Sequence, residues 1–278
     1  MFIKRSSDLS LTKRLTKKHW VIICLVCTLA AVGVVLIMTV QQNDGDTAVY
    51  QEIRQNVAPV VVAPVVPDPK PIELPEPEMV NNGVHHSDRT IDFEALFEKN
   101  QDIIAWISVP GTEIDYPVLR SQDNTDYLTH DATGKYNGAG AIFMDKANSP
   151  DFTDRNTVIY GHNMNNGSMF AGLHQFQKSD FFEQNREIKL YTPDGMRVYE
   201  IFGAYVADDN NILYHNNFSD DEVWKAYIEN IFHNTDLSAN ILQKQIGADD
   251  QIITLSTCVH NQKTQRYLVQ GVLTKDAG

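Results

Sequence analysis

The sequence predicts a mainly β fold: one closed or nearly closed barrel of about eight short strands with peripheral helices, preceded by an N-terminal transmembrane helix. Two observations predict the barrel. About eight short runs rich in β-branched and aromatic residues follow one another after residue 101, and turn residues separate them. The runs are DIIAWISVPG, EIDYPVL, GAIFMD, NTVIYG, EIKLYTPDG, MRVYEIFGAYVA, QIITLSTCV and QRYLVQGVLT.

The transmembrane helix is predicted from residues 20–40, WVIICLVCTLAAVGVVLIMTV. This stretch has no charged side chain and is long enough to cross roughly 30 Å of hydrocarbon. Residues 1–19 are basic, so the positive-inside rule predicts a cytoplasmic tail there and an extracellular remainder. A cleaved signal peptide is the alternative, but its apolar core is usually only about 7 to 15 residues long. We therefore expect a single-pass protein of the cell membrane, held by an uncleaved anchor.

Residues 41–87 are predicted to form an extracellular stalk. The part between residues 57 and 78 holds 7 of the chain's 11 prolines. That composition favours extended polyproline II over a helix or an inner strand. The remaining residues, 88–278, are predicted to form one globular domain.

Three helical segments are predicted in this domain. The first follows Asp92, a suitable N-cap, and the second covers residues 168–176. The third begins with Ser219 and Glu222, which have the spacing of a capping box. Its apolar face is predicted to pack on the outside or rim of the barrel. That face comprises Val223, Trp224, Tyr227, Ile228 and Ile231.

The charge of the chain argues against several classes of partner. The net charge is −13, and the basic N-terminus leaves the rest of the chain more acidic still. Binding to nucleic acid needs basic patches, so nucleic acid is not an expected partner. The sequence also lacks a phosphate-binding glycine loop, a dinucleotide fingerprint and a calcium-loop pattern. We therefore expect no cofactor and no metal.

Cysteine usage leaves one thiol unpaired. Cys24 and Cys27 lie in the apolar stretch, so Cys258 is alone in the predicted extracellular part. A lone extracellular thiol is a buried residue, an intermolecular crosslinker or a reactive nucleophile. The cysteine count leaves these three roles open.

The position of Arg266 favours the nucleophile. Cys258 ends one predicted strand and Arg266 starts the next, so an antiparallel, hairpin-like connection would bring them together at one end of the barrel. A nearby cation favours the thiolate and can hold a carbonyl oxygen as that oxygen gains negative charge. A solvated strand residue is the alternative role for Arg266.

A cysteine nucleophile also needs a proton partner, usually a histidine. His162 leaves the run NTVIYG at a tight bend, where a rigid strand end would present its side chain. The residues alone place His162 only slightly ahead of His130 and His260. His174 and His233 have ordinary surface explanations.

The stretch TLSTC resembles the TLxTC signature of sortases, the membrane-anchored cysteine transpeptidases of Gram-positive bacteria. VIYGHNM resembles the histidine segment of that family, RYLVQGVL its arginine strand and SVPGTEIDYPV its early strands. The resemblance covers roughly residues 90–275 and fits class B members best. Class C pilin polymerases usually carry a lid before the barrel, and no convincing lid is evident here. The resemblance implies a sortase-type barrel with His162, Cys258 and Arg266 as catalytic residues and Thr257 as a candidate substrate contact.

The resemblance also implies a reaction in two covalent steps. Cys258 would attack a C-terminal sorting motif of a secreted surface protein and form a thioacyl enzyme, with Arg266 stabilising the oxyanion. His162 would protonate the leaving amine and then deprotonate the incoming amine, which belongs to a cell-wall peptide or a pilin subunit. The alternatives are a hydrolytic cysteine protease on the same scaffold and a non-enzymatic anchored binding domain.

Overall fold

The computed structural model describes residues 17–54, 84–85, 88–260 and 262–277. Contacts divide the chain into two compact units, residues 1–45 and residues 46–278. Most of the predicted cytoplasmic tail and most of the predicted stalk, including its proline-rich part, lie outside the described residues.

The described part of the chain contains five α-helices and two 3-10 helices. The α-helices are α1 (Lys17–Arg54), α2 (Phe93–Lys99), α3 (Ser179–Gln184), α4 (Ile212–His215) and α5 (Asp221–Phe232), and the 3-10 helices span Asp126–Leu128 and Phe170–Gln177. The predicted anchor, residues 20–40, falls within α1. Nowhere in the described chain does a helix combine the length and the apolar character needed to cross a membrane, so the structure does not support the predicted anchor.

Each of the eight runs predicted as strands contains a strand. The strands are β1 (Val84–His85), β2 (Thr90–Ile91), β3 (Ile103–Ser108), β4 (Asp115–Leu119), β5 (Ile142–Met144), β6 (Asn156–Tyr160), β7 (Glu187–Thr192), β8 (Gly195–Asp208), β9 (Asn240–Ile241), β10 (Ile252–Val259) and β11 (Gln262–Ala277). The sequence did not predict β1, β2 or β9, which have two residues each.

The large sheet closes into a barrel. Its strand order is β11-β10-β6-β5-β4-β3-β7-β8-β9, and β11 also pairs with β8. The eight strands from β11 to β8 therefore form a ring, and β9 adds to β8 outside it. This topology confirms the predicted mainly β, closed eight-stranded barrel. Two pairings are parallel, β4 with β5 and β6 with β10, so β6 and β10 end at the same end of the barrel.

The side chains of β10 alternate between the barrel interior and a second apolar cluster outside the barrel. Ile253 and Leu255 belong to the interior cluster, whereas Ile252 belongs to the outer one. The outer cluster also contains Trp224 and Ile228 of α5. Burying a side chain of this kind contributes ~1.5–3 kcal/mol. The prediction that this helix packs on the outside of the barrel is confirmed.

The first residue of α5 differs from the prediction. Asp220 is the N-cap, because its carboxylate accepts from the amides of Glu222 at 2.9 Å and Val223 at 3.3 Å. A carboxylate there satisfies free amide groups and complements the positive end of the helix dipole. The predicted capping box at Ser219 is therefore wrong by one residue, whereas Asp92 caps α2 as predicted.

The unit that contains the barrel begins upstream of residue 88. Tyr50 and Ile53, near the end of α1, are 2% and 1% exposed and belong to the interior cluster. The guanidinium of Arg54 lies 4.6 Å from the ring centroid of Tyr116. Residues 46–54 thus pack with the folded domain, although the sequence predicted them as part of the stalk.

Candidate active site

The parallel pairing of β6 with β10 brings two predicted catalytic residues to neighbouring strand ends. Tyr160, the last residue of β6, is in register with Ser256. The amide of Gly161 donates to the carbonyl of Ser256 at 3.2 Å and so continues the pairing by one step. His162 lies two residues after Tyr160, and Cys258 lies two residues after Ser256. Both residues therefore lie at the same end of the barrel.

The antiparallel pairing of β10 with β11 places Arg266 directly opposite Cys258. Residues directly opposite in such a pair project to the same face, with Cβ atoms about 4.5–5.5 Å apart. The predicted antiparallel pairing that sets Cys258 beside Arg266 is therefore confirmed. The connection differs from the single loop that was predicted. β10 ends at Val259 and β11 begins at Gln262, and a register shift after Cys258 leaves the extra residues on β11.

The ring of His162 is oriented by a backbone carbonyl. Its Nε2 lies 2.8 Å from the carbonyl oxygen of Leu128. A carbonyl can only accept, so Nε2 carries a proton and Nδ1 is the nitrogen that can exchange one. Gly140 permits this approach: its φ is +60°, and a Cβ there would lie 2.9 Å from the Leu128 oxygen and 3.1 Å from the His162 ring.

Gly161 and Thr257 join the two strand ends. The hydroxyl of Thr257 donates to the carbonyl of Gly161 at 2.7 Å. Gly161 has no room for a side chain, because a Cβ would lie 2.4 Å from Ile142 and 2.7 Å from Phe170. Thr257 borders the cavity described below, but its side chain is only 2% exposed. Its hydroxyl therefore holds the His162 segment against β10.

A cavity of about 500 Å³ lies where these residues meet. Its volume falls within the range of ~300–1,000 Å³ that is typical of ligand sites. All four residues predicted from the sequence border it, namely His162, Thr257, Cys258 and Arg266. Its apolar lining includes Leu128, Phe143, Tyr205, Ile212, Tyr227 and Leu268.

An ion pair orients the guanidinium of Arg266. Its Nη2 lies 2.8 Å from a carboxylate oxygen of Asp209, and its Nη1 donates to the carbonyl of Gln265 at 3.1 Å. The two paired side chains are 26% and 43% exposed, and pairs as accessible as this one contribute little stability. The guanidinium is planar and rigid, so fixing two of its nitrogens sets the direction of the whole group.

A buried carboxylate, which the sequence did not single out, supports one wall of the cavity. Asp145 is 1% exposed. Its Oδ2 accepts from Tyr160 at 2.8 Å, Asn124 at 3.0 Å and Asn211 at 3.2 Å, and these three partners line the cavity. Burial and the charge of Asp145 raise the pKa of Tyr160, which keeps its phenol a donor at neutral pH. The one sequence signal was an acid at the end of the apolar run GAIFMD.

His174 contacts the site, contrary to its predicted surface role. It lies in the 3-10 helix Phe170–Gln177, and its Nε2 is 3.1 Å from the carbonyl oxygen of Cys258. Its ring stacks on Tyr267 with the centroids 4.8 Å apart. Burial lowers the pKa of His174, which favours the neutral ring. A histidine on a short helical segment gave no sequence signal for this contact.

The other two histidine candidates lie elsewhere. Neither His130 nor His260 is among the described residues that line the cavity. Nδ1 of His130 lies 2.8 Å from the carbonyl of Asp126, and His260 is exposed. His162 is thus the one of the three that shares the cavity with Cys258.

The arrangement can support acyl transfer. A thiol, a histidine with an exchangeable proton and a fixed cation border one cavity. These groups supply a nucleophile, a proton carrier and a stabiliser for a developing oxyanion.

Known proteins share this sequence and this architecture. The family model described as the sortase domain matches residues 107–274, a range that includes the three candidate catalytic residues. Sortase B of Listeria monocytogenes is 32% identical over 213 residues, which cover 75% of this chain and 83% of that protein.

Solved structures agree with that match. The crystal structure of sortase B from Bacillus anthracis in complex with AAEK1 aligns with a TM-score of 0.61 and 32% identity, covering 70% of this chain and 89% of that chain. The Staphylococcus aureus sortase B–substrate complex aligns with a TM-score of 0.60 and 29% identity, covering 66% and 85%.

Proposed function

The chain belongs to the sortase family as a class B-type sortase enzyme, and we propose that it joins secreted surface proteins to an amine through a thioacyl intermediate. One observation carries the proposal: Cys258 lies directly opposite Arg266, beside the segment that bears His162, at a shared cavity. The cavity would take the sorting motif of the surface protein.

In the first step, the thiol of Cys258 passes its proton to Nδ1 of His162, and its sulfur forms a bond to the carbonyl carbon of the scissile peptide. Arg266 donates to the oxyanion that develops on the carbonyl oxygen. The carbon–nitrogen bond then breaks, and His162 gives its proton to the leaving amine. A thioester between the surface protein and Cys258 remains.

In the second step, an amine attacks the thioester carbon and His162 takes the proton that this amine loses. The carbon–sulfur bond breaks, which regenerates the Cys258 thiolate and leaves a new amide. We propose an amine of a cell-wall peptide or of a pilin subunit as the acceptor. The substrate complex of the Staphylococcus aureus relative supports a site that accommodates a substrate on this scaffold.

Amine dependence tests transfer against hydrolysis. The full-length protein is incubated with a pooled library of synthetic pentapeptides, with and without glycinamide, and the products are identified by mass spectrometry. We expect one class of peptide to yield an acyl fragment whose mass includes glycinamide. Identical products with and without the amine would instead support the hydrolytic protease, and no cleavage of any peptide would support the binding domain.

We also propose that the catalytic domain lies outside the cell membrane and is tethered to it. The support is the sequence pattern, in which basic residues 1–19 precede the uncharged residues 20–40. A maleimide that cannot cross membranes is expected to label Cys258 in intact cells, as read from the mass of its tryptic peptide. Labelling of Cys258 only after lysis would contradict this localisation.

A further inference from the structure

The backbone carbonyl of Cys258 receives two side-chain donors that the mechanism above does not use. Nδ2 of Asn163 lies 3.0 Å from this oxygen, and Nε2 of His174 lies 3.1 Å from it. Most carbonyl groups in a sheet pair with backbone amides. Here two side chains from other segments converge on one peptide group, and that group belongs to the nucleophile.

Asn163 links the nucleophile to its proton carrier. It directly follows His162 in the chain, so its bond to Cys258 ties the histidine segment to the peptide group that bears the thiol. On the other side of His162, the carbonyl of Gly161 accepts from Thr257. The chain is thus fastened to the end of β10 immediately before and immediately after the histidine.

His174 is itself held from two directions. Its ring stacks on Tyr267, and Nε2 of Gln177 lies 3.2 Å from its Nδ1. We assign the proton to Nε2 because the carbonyl of Cys258 can only accept and the amide of Gln177 donates to Nδ1. That Nε2–H then donates to the carbonyl of Cys258. Nδ2 of Asn163 also lies 3.0 Å from this Nε2, and it gives a hydrogen to the same carbonyl.

We propose that Asn163 and His174 are positioning residues for acyl transfer, which fix the peptide group of Cys258 and so aim its thiol at the carbonyl carbon held by Arg266. The inference rests on the proposed function. Misplacing a reacting group by about 1 Å can lower a rate by about 100-fold. Neither residue is among the described residues that line the cavity, so the loss of either bond acts on the chemical step rather than on peptide binding.

The test compares donor and non-donor side chains at His174 in the full-length protein. His174→Phe keeps a ring that can stack on Tyr267 but removes the donor, whereas His174→Gln keeps an N–H donor. With the peptide selected in the library assay, we expect His174→Phe to lower kcat about tenfold with KM unchanged within about twofold. His174→Gln is expected to recover most of this loss. Asn163→Leu, which has a similar volume and no donor, should behave as His174→Phe does.

A second readout needs no substrate. Iodoacetamide alkylates Cys258, and the rate is followed from the mass of the peptide that contains it. A thiol that is no longer held towards the cavity is less accessible to the reagent, so we expect alkylation at neutral pH to slow by about threefold or more in His174→Phe. The matched control is His233→Gln at the end of α5, where Nδ1 contacts the carbonyl of Glu229. This control should leave kcat and the alkylation rate unchanged.

The outcomes separate positioning from packing. Equal rates in the wild type and in His174→Phe would overturn the proposal, as would equal impairment of His174→Phe and His174→Gln. Thermal unfolding is measured for every variant, and if His174→Phe does not fold, His174→Leu takes its place under the same criterion. If the wild type shows no amine-dependent exchange, the proposed function fails, while the alkylation rates still decide whether His174 positions the thiol.

Discussion

Replacing Cys258 with alanine is expected to abolish cleavage and transfer together, leaving product formation below about one thousandth of the wild-type rate. The acyl group can then form no covalent bond to the enzyme, and an orienting cation and a proton carrier without a nucleophile cannot replace that bond. Cys258 is half-buried and the change removes a single heavy atom. The unfolding temperature should therefore stay within about 3 °C of the wild type.

The matched controls are the two other cysteines of the chain. Cys24→Ala and Cys27→Ala make the same chemical change outside the barrel, and we expect both variants to retain full exchange activity. Product is measured by mass spectrometry with the same peptide and amine for all three variants. Turnover in Cys258→Ala comparable to that of the two controls would exclude covalent catalysis through this thiol.

Arg266→Lys is expected to lower kcat by about 100- to 1,000-fold, the loss typical of removing one oxyanion donor. The positive charge remains, but an ammonium cannot keep both the carboxylate of Asp209 and the carbonyl of Gln265 in the geometry of the planar guanidinium. Because the cavity is otherwise unchanged, we expect KM to change much less than kcat. Steady-state kinetics of the amine exchange measure both quantities.

Arg155→Lys provides a comparison at a similar ion pair. Arg155 pairs with Asp221 at 2.6 Å and donates to the carbonyl of Phe218 at 2.9 Å, and it is absent from the described lining of the active-site cavity. We expect this variant to keep wild-type kcat and KM, because an accessible ion pair contributes only about 0–1 kcal/mol to stability. A similar loss of activity in both variants, or near wild-type kcat in Arg266→Lys, would contradict the oxyanion role.

The eight barrel strands could be predicted because the local pattern and the tertiary structure agree. Each run is rich in β-branched or aromatic residues and ends at turn residues. Apolar side chains of the barrel strands are buried in the interior, so tertiary packing stabilises the same strand pattern. The connection after Cys258 was harder, because VHNQKTQ contains no glycine or proline to mark a short turn. The early start of β11 at Gln262 depends on its pairing with Val259 of β10.

The residues that were missed act through contacts distant in sequence. His174 is 84 positions from the carbonyl it contacts. Asp145 is surrounded by donors from three separate segments. In contrast, Tyr50 and Ile53 carried a readable signal, because their spacing of three residues suits one buried face of a helix. The adjoining proline-rich segment directed the prediction towards a stalk instead.

Closure of the barrel limits how a peptide can be recognised. β10 pairs with β6 as far as Ser256 and with β11 as far as Val259, and β11 pairs with β8 from Gln265 onwards, so neither strand offers an unpaired edge over those residues. A peptide cannot add there as an extra strand, which is a common mode of extended-peptide recognition. We therefore expect a peptide substrate to contact the side chains of the cavity and the segment 208–216 that borders it. Sequence preference can therefore diverge by changes in that segment while the barrel pairing stays intact.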